Sequence, residues 1–139
     1  IDSDSIERVE SFKLLGVIIS SDLSWKSHVA YIVSKACRRL FVVYHLLRAG
    51  VNCSDVIAVC CSLIHSVLEY CAPVWHCGLT LTQSAEIESV QKRVLKLIFP
   101  SLSYTQALAV SSLERLSDRR ERLSVAAFNQ IKSNSNILH

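Results

Sequence analysis

The chain has 139 residues and a formal net charge of +3 at pH 7, and half of its residues are hydrophobic. This length fits one domain that can bury a sizeable core, and the high apolar content excludes an intrinsically disordered chain. Three glycines and two prolines are few for a loop-built fold, so a helix-rich fold is expected. No charged leader precedes an apolar stretch with a small-residue cleavage site, so we predict no secretory signal.

Residues 1–22 are predicted to form a short β-hairpin. The sequence VESFKLLGVIIS at residues 9–20 alternates imperfectly and then becomes β-branched, which is typical of strands. Gly16 lies in its middle and marks a bend or a close backbone approach. The polar residues 1–5 form a lead-in that should fray.

Residues 23–133 are predicted to form a bundle of four to five helices. The first helix covers residues 24–48, because apolar residues recur there at spacings of three and four. The second covers residues 54–70, is apolar on nearly every side and ends before Pro73. The buried stripe of the first helix consists of Trp25, Val29, Ile32, Ala36, Leu40, Val43 and Leu47.

Three later helices are predicted at residues 82–99, 104–110 and 113–132. Pro100 ends the first of these, and residues 134–139 form a mobile tail. The residues expected to face the core are Ile87, Val90, Val94 and Leu97, then Leu116, Leu123, Ala127 and Ile131. The predicted fold class is therefore mainly α, with a short N-terminal β-hairpin.

The charge-free stretch at residues 56–68 raises the question of a membrane span. It is shorter than the roughly 20 residues that cross a bilayer, so we interpret it as a buried central helix with no membrane partner.

The cysteines are interpreted as small buried hydrophobes in a reducing, intracellular compartment, either nuclear or cytoplasmic. A zinc site would need two pairs of ligands at short spacing, and only Cys71, His76 and Cys77 approach one such pair. We therefore expect no metal and no cofactor in this chain. The six cysteines are Cys37, Cys53, Cys60, Cys61, Cys71 and Cys77.

Positive charge is concentrated in the first long helix, where residues 26–48 include five Lys or Arg and no acid. At the α-helical period, one sector opposite the buried stripe combines cations with hydrogen-bonding and aromatic groups. Such a face suits a phosphate backbone, and the alternative is an ordinary solvated helix face. The sector contains Ser24, His28, Tyr31, Lys35, Arg38, Arg39, Val42 and His45.

Two further charged groups occur near the C-terminal end. A second basic cluster, on the predicted helix at 82–99, has the same two interpretations as the first. The last helix mixes bases with acids, which predicts i,i+4 pairing along its surface. The basic cluster consists of Lys92, Arg93 and Lys96, and the mixed set of Arg119, Arg120 and Arg122 with Glu114, Asp118 and Glu121.

No catalytic constellation is present in the sequence. Three scattered glycines cannot form a phosphate-binding loop, and the carboxylate pairs Asp2/Asp4 and Glu86/Glu88 are not placed to hold a metal. His65 and Glu69 share a helix face, which permits acid–base chemistry. A half-buried histidine bonded to a neighbouring carboxylate is the favoured interpretation. We therefore expect this chain to have no catalytic activity by itself.

Four segments form an ordered series: FKLLGVIISSDLSWKSHV from residue 12, SVLEYCAPVW from residue 66, VQKRVLKLI from residue 90 and SYTQALAVSSLERLSDRR from residue 103. The series resembles the region just after the palm in reverse transcriptases of non-LTR retrotransposons, particularly the jockey-like clades. The family patterns are F-K-Y-L-G-V with L-S-W-K-x-H-[IV], L-E-Y-x-x-P-V-W, I-Q-[KR]-R-x-x-[KR]-x-I, and S-Y-x-x-x-L with L-x-x-L-x-x-R-R.

The resemblance covers residues 9–131, and it departs from the family at Leu14, where Tyr is usual. The catalytic aspartates, including the Y/F-x-D-D motif, and the fingers would lie upstream of Ile1. The absence of methionine and the start at Ile1 fit a piece of a longer protein. Mg²⁺ is then expected only in the palm of that parent.

The resemblance implies roles for the two predicted units. Residues 12–17 would be the primer grip, and the helices after Ser24 would be the thumb and the start of the connecting region. The expected partners are an RNA or DNA template–primer duplex, held by backbone contacts, and the upstream palm and fingers. The primer-grip residues would be Phe12, Leu14, Leu15, Gly16 and Val17. The nucleic-acid-binding residues would be Lys26, His28, Tyr31, Lys35, Arg38, Arg39, Lys92, Arg93 and Lys96.

An alternative function belongs to another class. The chain could be a free-standing helical interaction module, domesticated or left over from a retroelement. It would bind protein through apolar side chains such as Phe12 and Ile18, which the hairpin exposes when it is severed from a palm.

Overall fold

A short β-hairpin followed by helices makes up residues 6–135, the part of the chain that the computed structural model describes. The predicted fold class, mainly α with an N-terminal hairpin, is confirmed. The polar lead-in at residues 1–5 and positions 136–139 of the predicted tail lie outside the described residues.

The hairpin consists of antiparallel strands β1 (Ser11–Leu14) and β2 (Val17–Ser20). Leu14 pairs with Val17, so the connection is the two-residue turn Leu15–Gly16. Their φ angles are +48° and +86°, and positive φ at both positions is the requirement of a type I′ turn. Every residue of β1 is exposed, whereas Val17 of β2 is buried against the helices.

Helix α1 (Lys26–Arg48) follows the predicted stripe closely. Val29, Ile32, Ala36 and Val43 are buried, while Trp25, Leu40 and Leu47 lie half-buried at the edges of the core. The helix ends at Arg48, and Gly50, whose φ is +80°, follows its C-cap residue. The Gly50 N–H donates to the Leu47 carbonyl and the Val51 N–H to the Leu46 carbonyl, both at 3.1 Å, which is a Schellman motif.

The predicted second helix is one rod interrupted by a π turn. It comprises α2 (Cys53–Cys60), the π turn (Cys61–His65) and α3 (Ser66–Leu68). The Ser62 hydroxyl donates to the Ala58 carbonyl at 3.0 Å, and the Ser66 hydroxyl donates to the Ser62 carbonyl at 2.6 Å. Serines that bond back in this way bend helices.

Pro73 does not end that rod, contrary to the prediction. The chain turns at Cys71, whose φ is +52°, and Pro73 lies in the first turn of the short helix α4 (Ala72–Trp75). Proline is tolerated there, because the first N–H groups of a helix have no partner within it. A 3₁₀ turn at His76–Gly78 follows.

The remaining helices are α5 (Leu81–Ile98), α6 (Tyr104–Ser111) and α7 (Leu116–Ser135). Capping boxes start α5 and α6. Leu97 is exposed rather than inward, because Leu95 and Ile98 occupy the buried positions of that turn. The inner stripe predicted for α7 is wrong at Ile131, which is 68% exposed. Helix α7 also continues through the first residues of the predicted tail.

The core forms where α1 packs against α5 and where α4 packs against α7. Trp75 is fully buried there, and its indole N–H donates to the Tyr70 carbonyl at 2.9 Å. Gly78 packs so closely against Trp25 that a Cβ at position 78 would come within 2.4 Å of the indole nitrogen.

Within residues 6–135, no single helix is long and apolar enough to cross a membrane. One pair of consecutive helical segments, Cys53–Leu68 and Ala72–Gly78, bent by 41° at the break between them, is together long and apolar enough by length and composition alone.

The cysteines are free thiols in a range of environments. Burial of Cys60 agrees with the prediction and raises the pKa of its thiol to about 12. Cys53 and Cys77 are exposed, so the prediction of burial is wrong for them. Among residues 6–135, no group of three His, Cys, Asp or Glu side chains could hold a metal ion.

Candidate nucleic-acid interface

The hairpin meets α1 through two lysines and a tyrosine. The Lys13 ammonium donates to the Tyr31 hydroxyl at 3.0 Å and lies 4.6 Å from the centroid of its ring. The Lys35 ammonium lies 5.7 Å from the same centroid. These three residues, called here the hairpin–helix cluster, bring two positive charges onto one aromatic ring.

A cavity of about 230 Å³ opens beside the hairpin–helix cluster. Tyr70 forms part of its wall and donates its hydroxyl to the Leu15 carbonyl at 2.9 Å. A Cβ at Gly16 would come within 3.0 Å of the Tyr70 ring. Position 16 therefore favours glycine for the positive φ of the turn and for this close approach. The lining residues are Lys13, Gly16, Tyr31, Lys35, Ser66, Val67 and Tyr70.

The electrostatics of the cluster favour an anion. The hydrogen bond from Lys13, together with the charges of Lys13 and Lys35, holds the pKa of the Tyr31 phenol below its usual value. Lys35 is exposed, so its ammonium is accessible to a partner. An accessible ammonium can displace the counterions of a phosphate backbone.

Three of the predicted nucleic-acid-binding residues, Lys26, Lys35 and Arg38, are exposed on α1. Tyr31, also on α1, is half-buried and contacts Lys13 of the hairpin. Tyr31, Lys35 and Arg38 agree with the open basic face that the helical period predicts, whereas Lys26, nine residues before Lys35, lies on the opposite side of α1.

His28 is a correction to that prediction, because it is buried. Its Nδ1 accepts a hydrogen bond from the Ile18 N–H at 3.3 Å, and its ring lies 5.3 Å from that of Trp75. Burial lowers the pKa of His28, which favours the neutral form. The hairpin covers this edge of the basic sector, so His28 joins β2 to the core and does not face a ligand.

Arg39 is also less available than predicted. It is half-buried, and its guanidinium donates to the Leu63 carbonyl within the π turn. It therefore ties α1 to the interrupted helix.

The second predicted basic cluster is exposed on α5. The Lys96 ammonium donates to the Pro100 carbonyl at 2.7 Å, and Lys92 lies 5.3 Å from the centroid of Tyr104. Arg93 reaches towards α1, with its Nη1 3.6 Å from Cys37 Sγ. The three cations line a cavity of about 380 Å³ together with Tyr104, and Arg93 links this surface to α1.

The predicted primer-grip residues divide into two sets. Phe12, Leu14 and Leu15 are exposed, whereas Val17 is buried and Gly16 lines the cavity. The exposed set leaves apolar side chains on β1 and its turn without cover from the described part of the chain.

The sequence interpretation missed Lys13 and Tyr70. Strand alternation in SFKL could have drawn attention to Lys13, because it is a charge between two apolar residues. Tyr70 contacts a turn 55 positions away, and no local pattern indicates such a contact.

The expected pairing of His65 with Glu69 is wrong. Glu69 instead binds Arg119 in a bidentate ion pair, with its Oε2 accepting from Nη2 at 3.1 Å. His65 is buried, and its Nδ1 has no hydrogen-bond partner among residues 6–135. Burial is the main cause that lowers the pKa of His65.

Instead of the i,i+4 pairs predicted within the last helix, its arginines contact residues that are further away in the sequence. Arg122 binds Glu114, which precedes α7, at 2.7 Å. Arg120 is buried and donates to the Ser84 hydroxyl at 2.9 Å. Arg119 and Arg120 therefore connect α7 to other elements, whereas Arg122 stays exposed on the surface of α7.

No protein-family model matches this chain, and neither a curated protein nor a solved structure does.

Proposed function

We propose that this chain is the thumb-like helical region of a non-LTR retroelement RNA-directed DNA polymerase, together with its primer-grip hairpin. It would hold a template–primer duplex through backbone contacts and would not catalyse by itself. The observation that carries the proposal is the hairpin–helix cluster. The resemblance relates the FKLLGV, LEY and basic-helix segments only by their order in the sequence. In the structure they are in contact: Lys13 of the hairpin bonds to Tyr31 of α1, and beside this cluster Tyr70 of the LEY segment bonds to the hairpin turn.

The chemistry of the cluster fits a phosphate backbone. Lys13 and Lys35 supply the positive charge, and the ring of Tyr31 offers a flat apolar surface for a sugar. Arg38 adds an exposed cation about one turn further along the same face of α1. Contacts of this kind bind any sequence, because they do not touch base edges.

The exposed apolar residues of the hairpin fit a position beside a palm. Phe12, Leu14 and Leu15 lie on an edge strand and its turn. A neighbouring domain would remove them from water, and edge strands left uncovered tend to associate. In this proposal the palm supplies the cover, and the Mg²⁺ chemistry resides there.

The test replaces Lys13 and Lys35 together by glutamine and measures binding of a labelled RNA–DNA primer–template by fluorescence anisotropy. We expect weaker binding and a salt dependence whose slope is shallower by about 2, roughly one unit for each lost phosphate contact. Arg122→Gln is the control for loss of positive charge elsewhere: it removes one positive charge from α7, half the loss in the double variant, and should not affect the cluster. Unchanged affinity and slope in the double variant would exclude the cluster as the interface.

The second candidate function is a protein-interaction module, which the exposed apolar residues Phe12, Leu14 and Leu15 favour. If the chain is such a module, it should self-associate or bind a protein partner, Phe12→Ser should weaken that association, and the chain should not bind nucleic acid. Sedimentation of Phe12→Ser, run alongside the anisotropy measurement, separates the two functions.

A further inference from the structure

A second exposed surface on α1 lies beyond the hairpin–helix cluster. Phe41 is 67% exposed and Tyr44 is 46% exposed. His45 and Arg48 are exposed beside them on the same side of the helix. These four residues are called the aromatic platform.

The rings of the platform are arranged by contacts among themselves. The Phe41 and His45 centroids lie 4.1 Å apart with planes at 70°, and those of Tyr44 and His45 lie 5.7 Å apart. Arg48 donates to the Tyr44 hydroxyl at 3.3 Å and lies 5.7 Å from its ring centroid. Edge-to-face packing holds the rings in place, which lowers the entropy lost when a flat ligand stacks on them.

Three guanidinium groups lie on or near the platform. Arg48 belongs to it, and Arg38 is exposed about one turn before Phe41. Arg93 on α5 contacts Cys37, which lies one turn before Phe41 on the same row. Residues 26–48 contain no acid, so α1 itself contributes no negative charge beside these arginines.

This combination of rings and cations selects among ligands. An apolar protein partner would not need the three arginines, and a duplex keeps its bases inside the stack, out of reach of Phe41 and Tyr44. Unpaired nucleotides offer flat bases and phosphates together, and proteins that bind single strands use aromatic rings within a basic groove.

We propose that the aromatic platform binds unpaired nucleotides of single-stranded RNA or DNA. The bases stack on Phe41 and Tyr44, and the phosphates lie near Arg38, Arg48 and Arg93. This inference rests on the proposed function: the single strand would be the part of the template that extends beyond the duplex held at the hairpin–helix cluster.

The experiment compares three ligands of equal length by fluorescence anisotropy: an oligothymidylate, an abasic oligonucleotide and a blunt duplex. We expect the double variant Phe41→Ser/Tyr44→Ser to bind oligothymidylate on the order of 10-fold more weakly. Its affinity for the abasic strand and the duplex should stay within a factor of about two, because the phosphate contacts remain. Phe128→Ser is the matched control, since Phe128 is an exposed ring on α7, and it should bind all three ligands as the unaltered chain does.

The outcomes distinguish this inference from the function on which it rests. Duplex binding that depends on Lys13 and Lys35, combined with unchanged oligothymidylate binding in the platform variant, would overturn the platform alone. Absence of binding to duplex and single strand would overturn both. An equal loss on the abasic strand would also overturn the platform, because stacking requires a base. Circular dichroism of both serine variants checks that the helices are intact.

Discussion

At the scale of single residues, burial decides which side chains of the basic sector are available. Lys35 and Arg38 face water, whereas His28 lies under the hairpin and Arg39 bonds to the π turn. The helical period could predict the basic sector, because the sector depends only on residue spacing along α1. The period could not predict that β2 covers the edge of the sector at His28, because that cover depends on how the hairpin docks.

Two buried histidines, His28 and His65, and the half-buried His76 make the stability of the fold depend on pH. Burial lowers the pKa of His28, His65 and His76 below the usual 6.5. The unfolded chain therefore binds more protons than the folded chain as the pH falls below about 6.5, and stability is lost in that direction. We expect a smaller free energy of unfolding at pH 5.5 than at pH 7.5, by at most about 1.4 kcal/mol per histidine per pH unit.

Urea denaturation of His28→Gln at the two pH values tests this expectation. The glutamine carbonyl can still accept from the Ile18 N–H, but the side chain cannot take up a proton. The difference in stability between the two pH values should therefore shrink in this variant. An equal difference in both proteins would show that His28 does not contribute to the pH dependence.

At the scale of elements, α7 begins with a cap supplied by another helix. The buried Glu88 of α5 accepts from the Leu116 N–H at 3.2 Å and from the Ser117 N–H at 3.3 Å. Glu88 also accepts a hydrogen bond from the Tyr104 hydroxyl. Burial of Tyr104, together with this hydrogen bond, raises the pKa of its phenol. A carboxylate at a helix N-terminus satisfies free N–H groups and favours the helix dipole. Glu88 therefore fixes where α7 starts.

Replacing Glu88 by glutamine should destabilise the protein by about 1–3 kcal/mol. The amide loses the charge, and only one of its two polar atoms can accept from the N–H groups of α7. Glu86→Gln is the matched control, because Glu86 is exposed on the same helix, and it should change stability by less than about 0.5 kcal/mol. Equal midpoints of thermal unfolding for the two variants would contradict the capping role.

Periodicity predicted the long elements well, and it failed where cover from another element decides exposure. Residues 24–48 and 82–99 were expected to be helical, and α1 and α5 lie within two residues of those limits. Ile131 continues the amphipathic pattern of α7, but none of the described elements packs over it. The π turn has only a weak signal in the sequence, namely Ser62 and Ser66 spaced four apart.

At the scale of the whole molecule, long-range contacts join the segments that resemble the retroelement family. Tyr70 of the second segment bonds to the turn of the first, and Glu69 bonds to Arg119 of the fourth. The sequence could predict that these segments occur in order, because motifs are local. It could not predict that they meet, because partners about 50 residues apart leave no periodic signal.

The central claim is that the basic face of α1 and the hairpin grip a nucleic-acid backbone. The most direct measurement is the affinity of the unaltered chain for an RNA–DNA primer–template over a series of salt concentrations. The exposed cations Lys13, Lys35 and Arg38 predict a plot of log affinity against log salt with a slope of about −3. A flat plot, or no binding at low salt, would contradict the claim.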